Sequence, residues 1–287
     1  MVNEIAIVSG KGGTGKTTIC TAFAMFAEDT ILADCDVDAP DLHIILQPIL
    51  KSSSKFVGSQ VAVIDSNKCT ECGLCEQACR FHAITDSVVD PIACEGCAVC
   101  THVCPENAVQ MINRQSGTLY ESETRFGNMV HAKLAPGEGN SGKLVTEVRK
   151  LGERIANDHG ISTMLIDGSP GIGCPVIATV TGIRLGVIVT EPTMSGIHDM
   201  KRVLDLLKRF QVKATVIINK FDLNLENTKS IEQYCKENDI EVLGKIRFDS
   251  IMTQSMVAAK SLPEFAPDHE ISLLLQKIWS RITELVT

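Results

Sequence analysis

The chain has 287 residues, of which 44% are hydrophobic and 22% are charged, and its formal net charge is −8. This composition suits one large or two smaller soluble domains, and the negative charge disfavours a general nucleic-acid binder. No apolar run approaches the ~18 residues of a membrane-spanning helix, so we expect no integral membrane segment. The start Met-Val-Asn-Glu lacks a basic region, which predicts no secretory signal and a cytoplasmic location. Twelve cysteines in such a chain indicate metal or redox chemistry rather than disulfides.

The first motif is a glycine-rich loop between a predicted strand (residues 5–8) and a predicted helix (residues 19–27). The segment GKGGTGKT, Gly10–Thr17, fits G-x-x-x-x-G-K-[ST], in which backbone N–H groups and a helix N-terminus bind phosphate. Lys16 is expected to reach the β- and γ-phosphates, and the Thr17 hydroxyl to bind Mg²⁺. A chance match in a glycine-rich turn is disfavoured by the flanking strand and helix. The predicted nucleotide-binding residues are Gly10, Gly12, Gly13, Thr14, Gly15, Lys16, Thr17 and Thr18.

A second lysine in this loop, Lys11, carries further information. With it, the loop resembles the deviant phosphate loop of the MinD, ParA and nitrogenase iron-protein group of ATPases. In that group the equivalent lysine crosses a homodimer interface to the partner subunit's nucleotide. The resemblance therefore implies a nucleotide-dependent homodimer, and the alternative is a lysine that contacts phosphate only within its own subunit.

Two acidic segments resemble the switch regions of this group. Strand 30–34 leads into Asp34-Cys35-Asp36, and acids at the C-terminal end of a strand beside a phosphate loop lie where open α/β sheets bind ligands. The resemblance implies that Asp36 positions the attacking water and that Asp34 binds Mg²⁺; an Asx-rich turn is the alternative. Strand 161–166 leads into Asp167, within the group's Asp-x-x-Pro-Gly pattern, which implies that Asp167 holds Mg²⁺ through water. The predicted catalytic residues are Lys11, Lys16, Asp36 and Asp167.

A repeated cysteine pattern lies between the two switches. Its two runs have the form Cys-x2-Cys-x2-Cys-x3-Cys, and the second repeats the first at an offset of 25 residues. This is the spacing of bacterial ferredoxins with two [4Fe-4S] clusters, in which the fourth cysteine of each run ligates the other cluster. Structural zinc is the competing interpretation, but it does not explain a repeated triplet plus one. The predicted ligands are Cys69, Cys72, Cys75 and Cys104 for one cluster, and Cys94, Cys97, Cys100 and Cys79 for the other.

The base pocket is predicted from two segments that follow strands. Strand 214–218 leads into Asn219-Lys220-Phe221-Asp222, and in the MinD group an asparagine at this place contacts adenine. Asp249, which follows strand 243–246, is expected near the same pocket. We therefore predict ATP as the nucleotide. Asn-Lys-x-Asp is also the pattern by which many GTPases recognise guanine, so GTP stays open.

The remaining pattern predicts a helix and then a serine-rich connection, at 51–55, within residues 42–60. Further along we predict strands at 117–120, 127–132 and 185–190, and helices at 141–157, 195–210 and 269–286. The predicted fold class is α/β, a doubly wound, mostly parallel P-loop NTPase sheet with an inserted α+β bacterial-ferredoxin-like domain. The predicted domains are 1–60 with 113–287 for the ATPase and 61–112 for the ferredoxin.

The whole chain resembles MinD-superfamily ATPases with an inserted ferredoxin. The resemblance implies an ATP- and Mg²⁺-dependent homodimer whose nucleotide state is coupled to the redox chemistry of its clusters. The function that we favour is ATP-driven, low-potential electron transfer to a partner protein. The acidic cysteine segment predicts a basic docking surface on an unidentified redox partner. One alternative is a MinD-like positioning or regulatory switch with redox-sensing clusters. Another is an Fe–S cluster carrier, which is disfavoured because only Cys235 lies near the C-terminus. Cys174, seven residues after Asp167 as in the nitrogenase iron protein, suggests the further hypothesis of a cluster shared between subunits.

Overall fold

The computed structural model describes residues 2–287, which form two compact units. The larger unit comprises Met1–Ser54, Leu119–Lys133 and Ser141–Thr287, and the smaller unit comprises Lys55–Thr118 and Leu134–Asn140. The predicted ferredoxin segment, 61–112, lies inside the smaller unit, which is longer at both ends and includes a separate second segment.

The elements alternate between strands and helices through most of the larger unit. The strands are β1 Asn3–Ser9, β2 Thr30–Asp34, β3 Ile49–Ile64, β4 Ile84–Thr85, β5 Val88–Val89, β6 Val109–Thr124, β7 Gly127–Leu134, β8 Thr163–Pro170, β9 Leu185–Thr190, β10 Lys213–Asn219 and β11 Glu241–Ile246. The helices are α1 Lys16–Phe26, α2 Leu42–Leu46, α3 Leu74–Ala78, α4 Val99–Val103, α5 Ser141–His159, α6 Cys174–Val180, α7 Met194–Arg209, α8 Leu225–Glu237, α9 Ile251–Val257, α10 Leu262–Phe265 and α11 Glu270–Val286.

The main sheet has the strand order β11-β10-β9-β1-β8-β2-β7-β6-β3, and its pairs from β11 to β7 are parallel. Helices cover both faces of this sheet, so the side chains on both faces of its central strands are buried. These strands are therefore short, continuous apolar runs in which polar and apolar residues do not alternate. In β1, for example, residues 5–8 are fully buried. The predicted α/β fold with a mostly parallel sheet is confirmed. Because β1, β2 and β8 are neighbours, the loops after these three strands meet at one edge of the sheet.

The serine-rich segment was predicted wrongly as a connection. Residues 51–55 lie within β3, which begins at Ile49. β3 is the last strand in the sheet order, and its side chains from Ile49 to Lys55 are all exposed. Such a segment shows no alternation of buried and exposed residues, so its strand is invisible to a hydrophobic pattern. Side-chain contacts support it instead: Lys51 pairs with Glu123 at 3.2 Å and Ser52 donates to Glu121 at 3.1 Å.

The C-terminal helix, predicted at 269–286, packs on the main core through an apolar face. Ile271, Leu275, Ile278 and Ile282 of α11 are buried in the main core, and the ring of Trp279 lies 5.4 Å from that of Phe23 in α1. Across residues 2–287, no helix combines the length and the apolar character that crossing a membrane would require.

The smaller unit repeats its backbone geometry at the same 25-residue offset as its cysteines. Gly73 and Ala98, at equivalent positions, both adopt a left-handed conformation, with φ of 73° and 62°, and each precedes a five-residue helix. The two halves also exchange equivalent hydrogen bonds, from the Asp65 amide to the Ala108 carbonyl and from the Asp90 amide to the Ala83 carbonyl, each at 2.8 Å. The repeat is therefore an interlocked pair, and Ala62, Cys75, Ile84 and Val109 form its small core.

Candidate functional site

The loop at the start of α1 depends on glycine at two positions. Gly15 has φ of 89°, and a Cβ there would lie 2.5 Å from the Asn219 side-chain nitrogen. A Cβ on Gly10 would lie 2.4 Å from Cβ of Asp199. A side chain at either position would push the loop away from the elements that shape it. α1 has no acidic residue in its first turn, so its N-terminal amides are open to an anion.

Lys16 is the buried cation at the centre of this site. It is 6% exposed, and its Nζ lies 2.7 Å from Oδ1 of Asp167 and 4.0 Å from a carboxylate oxygen of Asp36. The Thr17 hydroxyl donates to the other Asp167 oxygen at 2.7 Å. Burial disfavours the charge of Lys16, but the carboxylates of Asp167, Asp36 and Asp34 outweigh burial and raise its pKa. Lys16 is therefore a permanent positive charge, fixed at the base of the loop.

The two aspartates of the first switch, Asp34 and Asp36, differ in burial and in their contacts. Asp34 is fully buried, and its carboxylate accepts hydrogen bonds from the amides of Asp36, at 3.1 Å, and Leu42, at 3.2 Å. Burial, reinforced by the charge of Asp167, raises the pKa of Asp34. Asp34 thus holds the switch backbone, and direct Mg²⁺ binding by it stays a prediction. Asp36 lines the cleft beside the phosphate loop, and partial burial raises its pKa to about 6, although Lys16 acts to lower it.

Glu191 organises the other side of the loop, although it belongs to no motif in the sequence. One carboxylate oxygen lies 2.5 Å from Nζ of Lys11, and the other lies 3.1 Å from Nζ of Lys220. Burial acts to raise the pKa of Glu191, but the two lysines outweigh burial and lower it. Its position in the sequence nevertheless indicates a site residue. Glu191 directly follows β9, just as Asp34 ends β2, and both lie at the edge of the sheet where ligands bind.

The loop borders a cleft of about 440 Å³, which is within the range of small-molecule sites. Its lining contains Lys16 and Thr14, whose buried hydroxyl has no hydrogen-bond partner within residues 2–287. Residues after β11 and in α9 also line it, among them Arg247, Phe248, Met252 and Met256. The orphaned hydroxyl and the buried cation fit the phosphates of a nucleotide, and Phe248 and the two methionines offer apolar surface to its base.

The predicted base-reading residues are engaged with the backbone. Asn219 lines the cleft and donates to the Thr14 carbonyl at 2.8 Å, so it braces the phosphate loop. Asp249 also lines the cleft and accepts from the Ile251 amide at 3.0 Å. Asp222 is not among the lining residues, and its carboxylate accepts from the Phe248 amide at 2.6 Å. The carboxylate that would recognise guanine therefore holds the loop that contains Phe248.

The eight repeated cysteines of the smaller unit surround two separate cavities. Each cavity is bordered by three cysteines of one run and the fourth cysteine of the other, and the two are small, with volumes of about 10 and 20 Å³. Backbone amides point at the sulfurs, with Ala83 donating to Cys79 and Ala108 to Cys104, each at 3.3 Å. The first set is Cys69, Cys72, Cys75 and Cys104, and the second is Cys79, Cys94, Cys97 and Cys100.

These thiols border cavities rather than converge on a point. Among residues 2–287, no group of three or more His, Cys, Asp or Glu side chains is placed to hold a single metal ion. The thiol-lined cavities, with their amide donors, fit a polynuclear cluster, whose presence stays a prediction. Cys174 is exposed at the first residue of α6, and its proposed role in a shared cluster stays a hypothesis.

The family is decided by a match over most of the chain. The profile of the CobQ/CobB/MinD/ParA nucleotide binding domain matches residues 5–260. The chain belongs to this family. An uncharacterized protein of Methanocaldococcus jannaschii is 35% identical over 227 residues, which cover 78% of this chain and 80% of that protein. A second uncharacterized protein of that organism is 27% identical over 254 residues, 81% of this chain and 89% of that protein.

Solved structures show the MinD/ParA fold in the same way. The septum site-determining protein MinD complexed with Mg-ADP, from Pyrococcus horikoshii, has a TM-score of 0.61 at 17% identity and covers 99% of this chain and 97% of its own. Apo McdA from Cyanothece has a TM-score of 0.61 at 14% identity, with complete coverage of both chains. The predicted resemblance to the MinD and ParA group is confirmed for family and fold, and the two iron–sulfur clusters stay a prediction.

Proposed function

We propose that this protein is an ATPase that carries two [4Fe-4S] clusters, and that its nucleotide state controls electron transfer from those clusters to a partner protein. One observation carries the proposal. A single chain combines a phosphate-binding loop around a buried lysine with two cavities that are each bordered by four thiols.

For the ATPase step, the described contacts suggest a role for each residue. Lys16 supplies positive charge to the phosphates, and Asp36, with a pKa raised to about 6, orients the attacking water as a carboxylate at neutral pH. Thr17 and Asp167, hydrogen-bonded at 2.7 Å, are the residues that would hold Mg²⁺, which neutralises phosphate charge when bound. The similarity to a MinD complexed with Mg-ADP supports this assignment. ATP is favoured over GTP because the Asp222 carboxylate, which would have to recognise guanine, accepts a hydrogen bond from the Phe248 amide instead.

For the redox step, the support comes from the smaller unit. Four-cysteine cavities with amide-to-sulfur hydrogen bonds suit [4Fe-4S] clusters, which supply one-electron transfer at low potential when bound. The exposed surface of this unit is acidic, which favours a partner with a basic docking surface. The exposed acids are Glu71, Glu76, Asp86, Asp90, Glu95 and Glu106.

A second candidate function is a MinD-like positioning or regulatory switch in which the clusters sense redox state. The MinD-like part of this candidate is supported by the similar structures, which include MinD, McdA and a MinC:MinD complex. Its redox-sensing part rests only on the thiol-lined cavities. A cluster carrier has less support, since Cys235 is fully buried in α8 and is the only cysteine beyond Cys174.

The deciding experiment is anaerobic reconstitution followed by potentiometry with and without Mg-ATP. The proposal expects eight irons per chain, and a cluster midpoint potential that depends on nucleotide. Since linkage between binding events is reciprocal, a tenfold preference of ATP for one redox state shifts the midpoint by about 59 mV. A lysine variant, Lys16→Met, is the control for nucleotide-independent drift.

The outcomes separate the two candidates. A nucleotide-dependent potential, with a partner that oxidises the clusters only when ATP is present, supports electron transfer. A potential that does not change with nucleotide, together with an ATPase rate that is the same for oxidised and reduced clusters, refutes coupling of either kind. An ATPase rate that responds to redox state without any electron acceptor supports the regulatory switch. Iron that stays below four atoms per chain refutes the clusters themselves.

A further inference from the structure

Lys11 is fully engaged within its own chain. Besides the contact with Glu191, its Nζ donates to the hydroxyl oxygens of Thr193 at 3.2 Å and Ser195 at 3.1 Å. A lysine ammonium has three N–H donors, so all of them have acceptors in the segment after β9. Lys11 is also absent from the residues that line the nucleotide cleft. The lysine that is predicted to act across a dimer interface is therefore bound to its own subunit.

Glu191 is the fixed member of this contact. Its side chain is 12% exposed, compared with 28% for Lys11. Its backbone carbonyl accepts from the Thr193 amide at 2.8 Å, and Thr193 in turn caps α7 by accepting from the Gly196 amide at 3.0 Å. A Cβ on Gly196 would lie 2.3 Å from the Glu191 carbonyl oxygen, so the turn is closely packed. When the ion pair separates, the flexible lysine has to move.

The second oxygen of Glu191 connects this contact to the phosphate loop. It binds Lys220, whose Nζ also donates to the Gly13 carbonyl at 3.1 Å. One carboxylate thus holds two lysines from different segments beside the loop. Loss of one lysine leaves the carboxylate paired with the other, so Lys11 is able to leave without stranding an unpaired buried charge.

We propose that Glu191 is a positioning residue that holds Lys11 inside its own subunit and so opposes dimerisation until a partner's nucleotide phosphate competes for the lysine. This inference rests on the proposed ATPase function and on the nucleotide-dependent homodimer that the resemblance of its phosphate loop implies. Lys11 cannot bind Glu191 and a phosphate of the partner subunit at the same time, so breaking the ion pair subtracts from the free energy of dimerisation. The contact therefore sets the nucleotide concentration at which dimers form.

The test measures dimer formation against the concentration of a non-hydrolysable ATP analogue with Mg²⁺, by analytical ultracentrifugation of the full chain at one protein concentration. Glu191→Gln keeps the shape of the side chain but removes its charge. We expect the half-dimer concentration, which is the analogue concentration at which half of the chains are dimeric, to fall about three- to tenfold in this variant. Ser195→Ala removes a single exposed acceptor, and we expect a decrease of about twofold. Glu241→Gln, which breaks an exposed pair with Arg281, is the matched control and leaves the value unchanged.

Two further measurements exclude indirect effects. Thermal unfolding of the nucleotide-free variants measures their stability. If the substituted residue had only a structural role, the variant would be less stable but its half-dimer concentration would not fall. Analogue binding to dilute, monomeric protein reports any change in nucleotide affinity through Lys220.

The results separate the inference from the homodimer on which it rests. If the wild-type chain binds the analogue but stays monomeric at saturation, the proposed homodimer is wrong. If the wild type dimerises and the variants need as much analogue as the wild type, or more, the role of Glu191 is refuted. Should Glu191→Gln fail to fold, the Ser195→Ala result decides alone.

Discussion

Substitution of Lys16 by methionine tests whether burial, rather than proximity alone, gives the Lys16–Asp167 pair its strength. The two groups lie 2.7 Å apart, with side chains 7% and 1% exposed. At an effective dielectric constant of about 20, Coulomb attraction at that distance is about 6 kcal/mol, and desolvation of both groups offsets part of it. Removing only the cation leaves buried carboxylates unpaired, so we expect Lys16→Met to lower the free energy of unfolding by about 3–5 kcal/mol.

Lys150→Met is the matched control, because it breaks a pair of nearly the same length in an exposed place. Lys150 lies 2.8 Å from Glu147, with side chains 64% and 43% exposed. Exposed pairs of this kind contribute about 0–1 kcal/mol, so we expect a loss of less than 1 kcal/mol. The same substitution at nearly the same separation thus compares a buried pair between distant segments with an exposed pair within one helix.

The effect at Lys16 should also depend on pH. Burial raises the folded-state pKa of Asp36 to about 6, and Lys16 opposes that rise. A raised folded pKa gives stability that is present at low pH and is lost as pH rises through the folded value. Removing Lys16 raises this pKa further, so the difference between variant and wild type should grow between pH 6 and pH 8, to an extent on the order of 1 kcal/mol per unit of additional shift.

Urea unfolding at pH 6 and pH 8, followed by circular dichroism without nucleotide, measures both quantities. A loss below 1 kcal/mol for Lys16→Met, or one equal to that of Lys150→Met, would refute the assignment of a buried, energetically coupled pair. A loss that shrinks with rising pH would contradict the role given to the neighbouring carboxylates.

Three further predictions concern the clusters, the hydrolytic step and the base. Cys104→Ala should remove the cluster bordered by the first cysteine run and Cys79→Ala the other, so that each variant keeps about four irons per chain by colorimetric assay; loss of all iron from either variant would argue against separate sites. The ATPase rate should rise with pH through an inflection near 6 as Asp36 deprotonates, and Asp36→Asn should flatten the profile and lower kcat by about 10²-fold or more; an unchanged inflection in that variant would show that another group titrates. Asp222→Asn should leave the preference for ATP over GTP within about threefold, measured by competition binding, whereas a guanine-reading aspartate would change it by 10²-fold or more.

Much of the fold was open to prediction because its signals are local. Apolar runs of four to six residues mark the central strands, and the predicted bounds of β2 and β9 agree with the structure residue for residue. The edge strand β3 was missed because its exposed polar side chains carry no pattern, and its pairing is a long-range property of the sheet.

In the candidate site, too, the residues with a local motif could be predicted and those defined by long-range contacts could not. The residues of the phosphate loop have a motif with fixed spacing, and the structure groups Lys16, Thr17 and Asp167 although 150 residues separate the last two. Glu191 has no motif, and its importance comes from two lysines that reach it from distant segments. The hydrogen bond from the Phe248 amide to Asp222 was equally invisible, because a motif names a carboxylate without saying what that carboxylate binds.

The interlocked repeat of the smaller unit has a consequence for how the protein is made. The first cavity requires Cys104, and the second combines Cys79 with three cysteines that follow it by 15 residues or more. The hydrogen bond from the Asp65 amide also cannot form until Ala108, which supplies the accepting carbonyl, has been synthesised. During synthesis, the first run of cysteines therefore leaves the ribosome with neither cavity closed, and its thiols stay accessible to oxidants and to stray metal ions until the second run has followed. We expect the interval between the two runs to be the stage at which this unit is most vulnerable to oxygen.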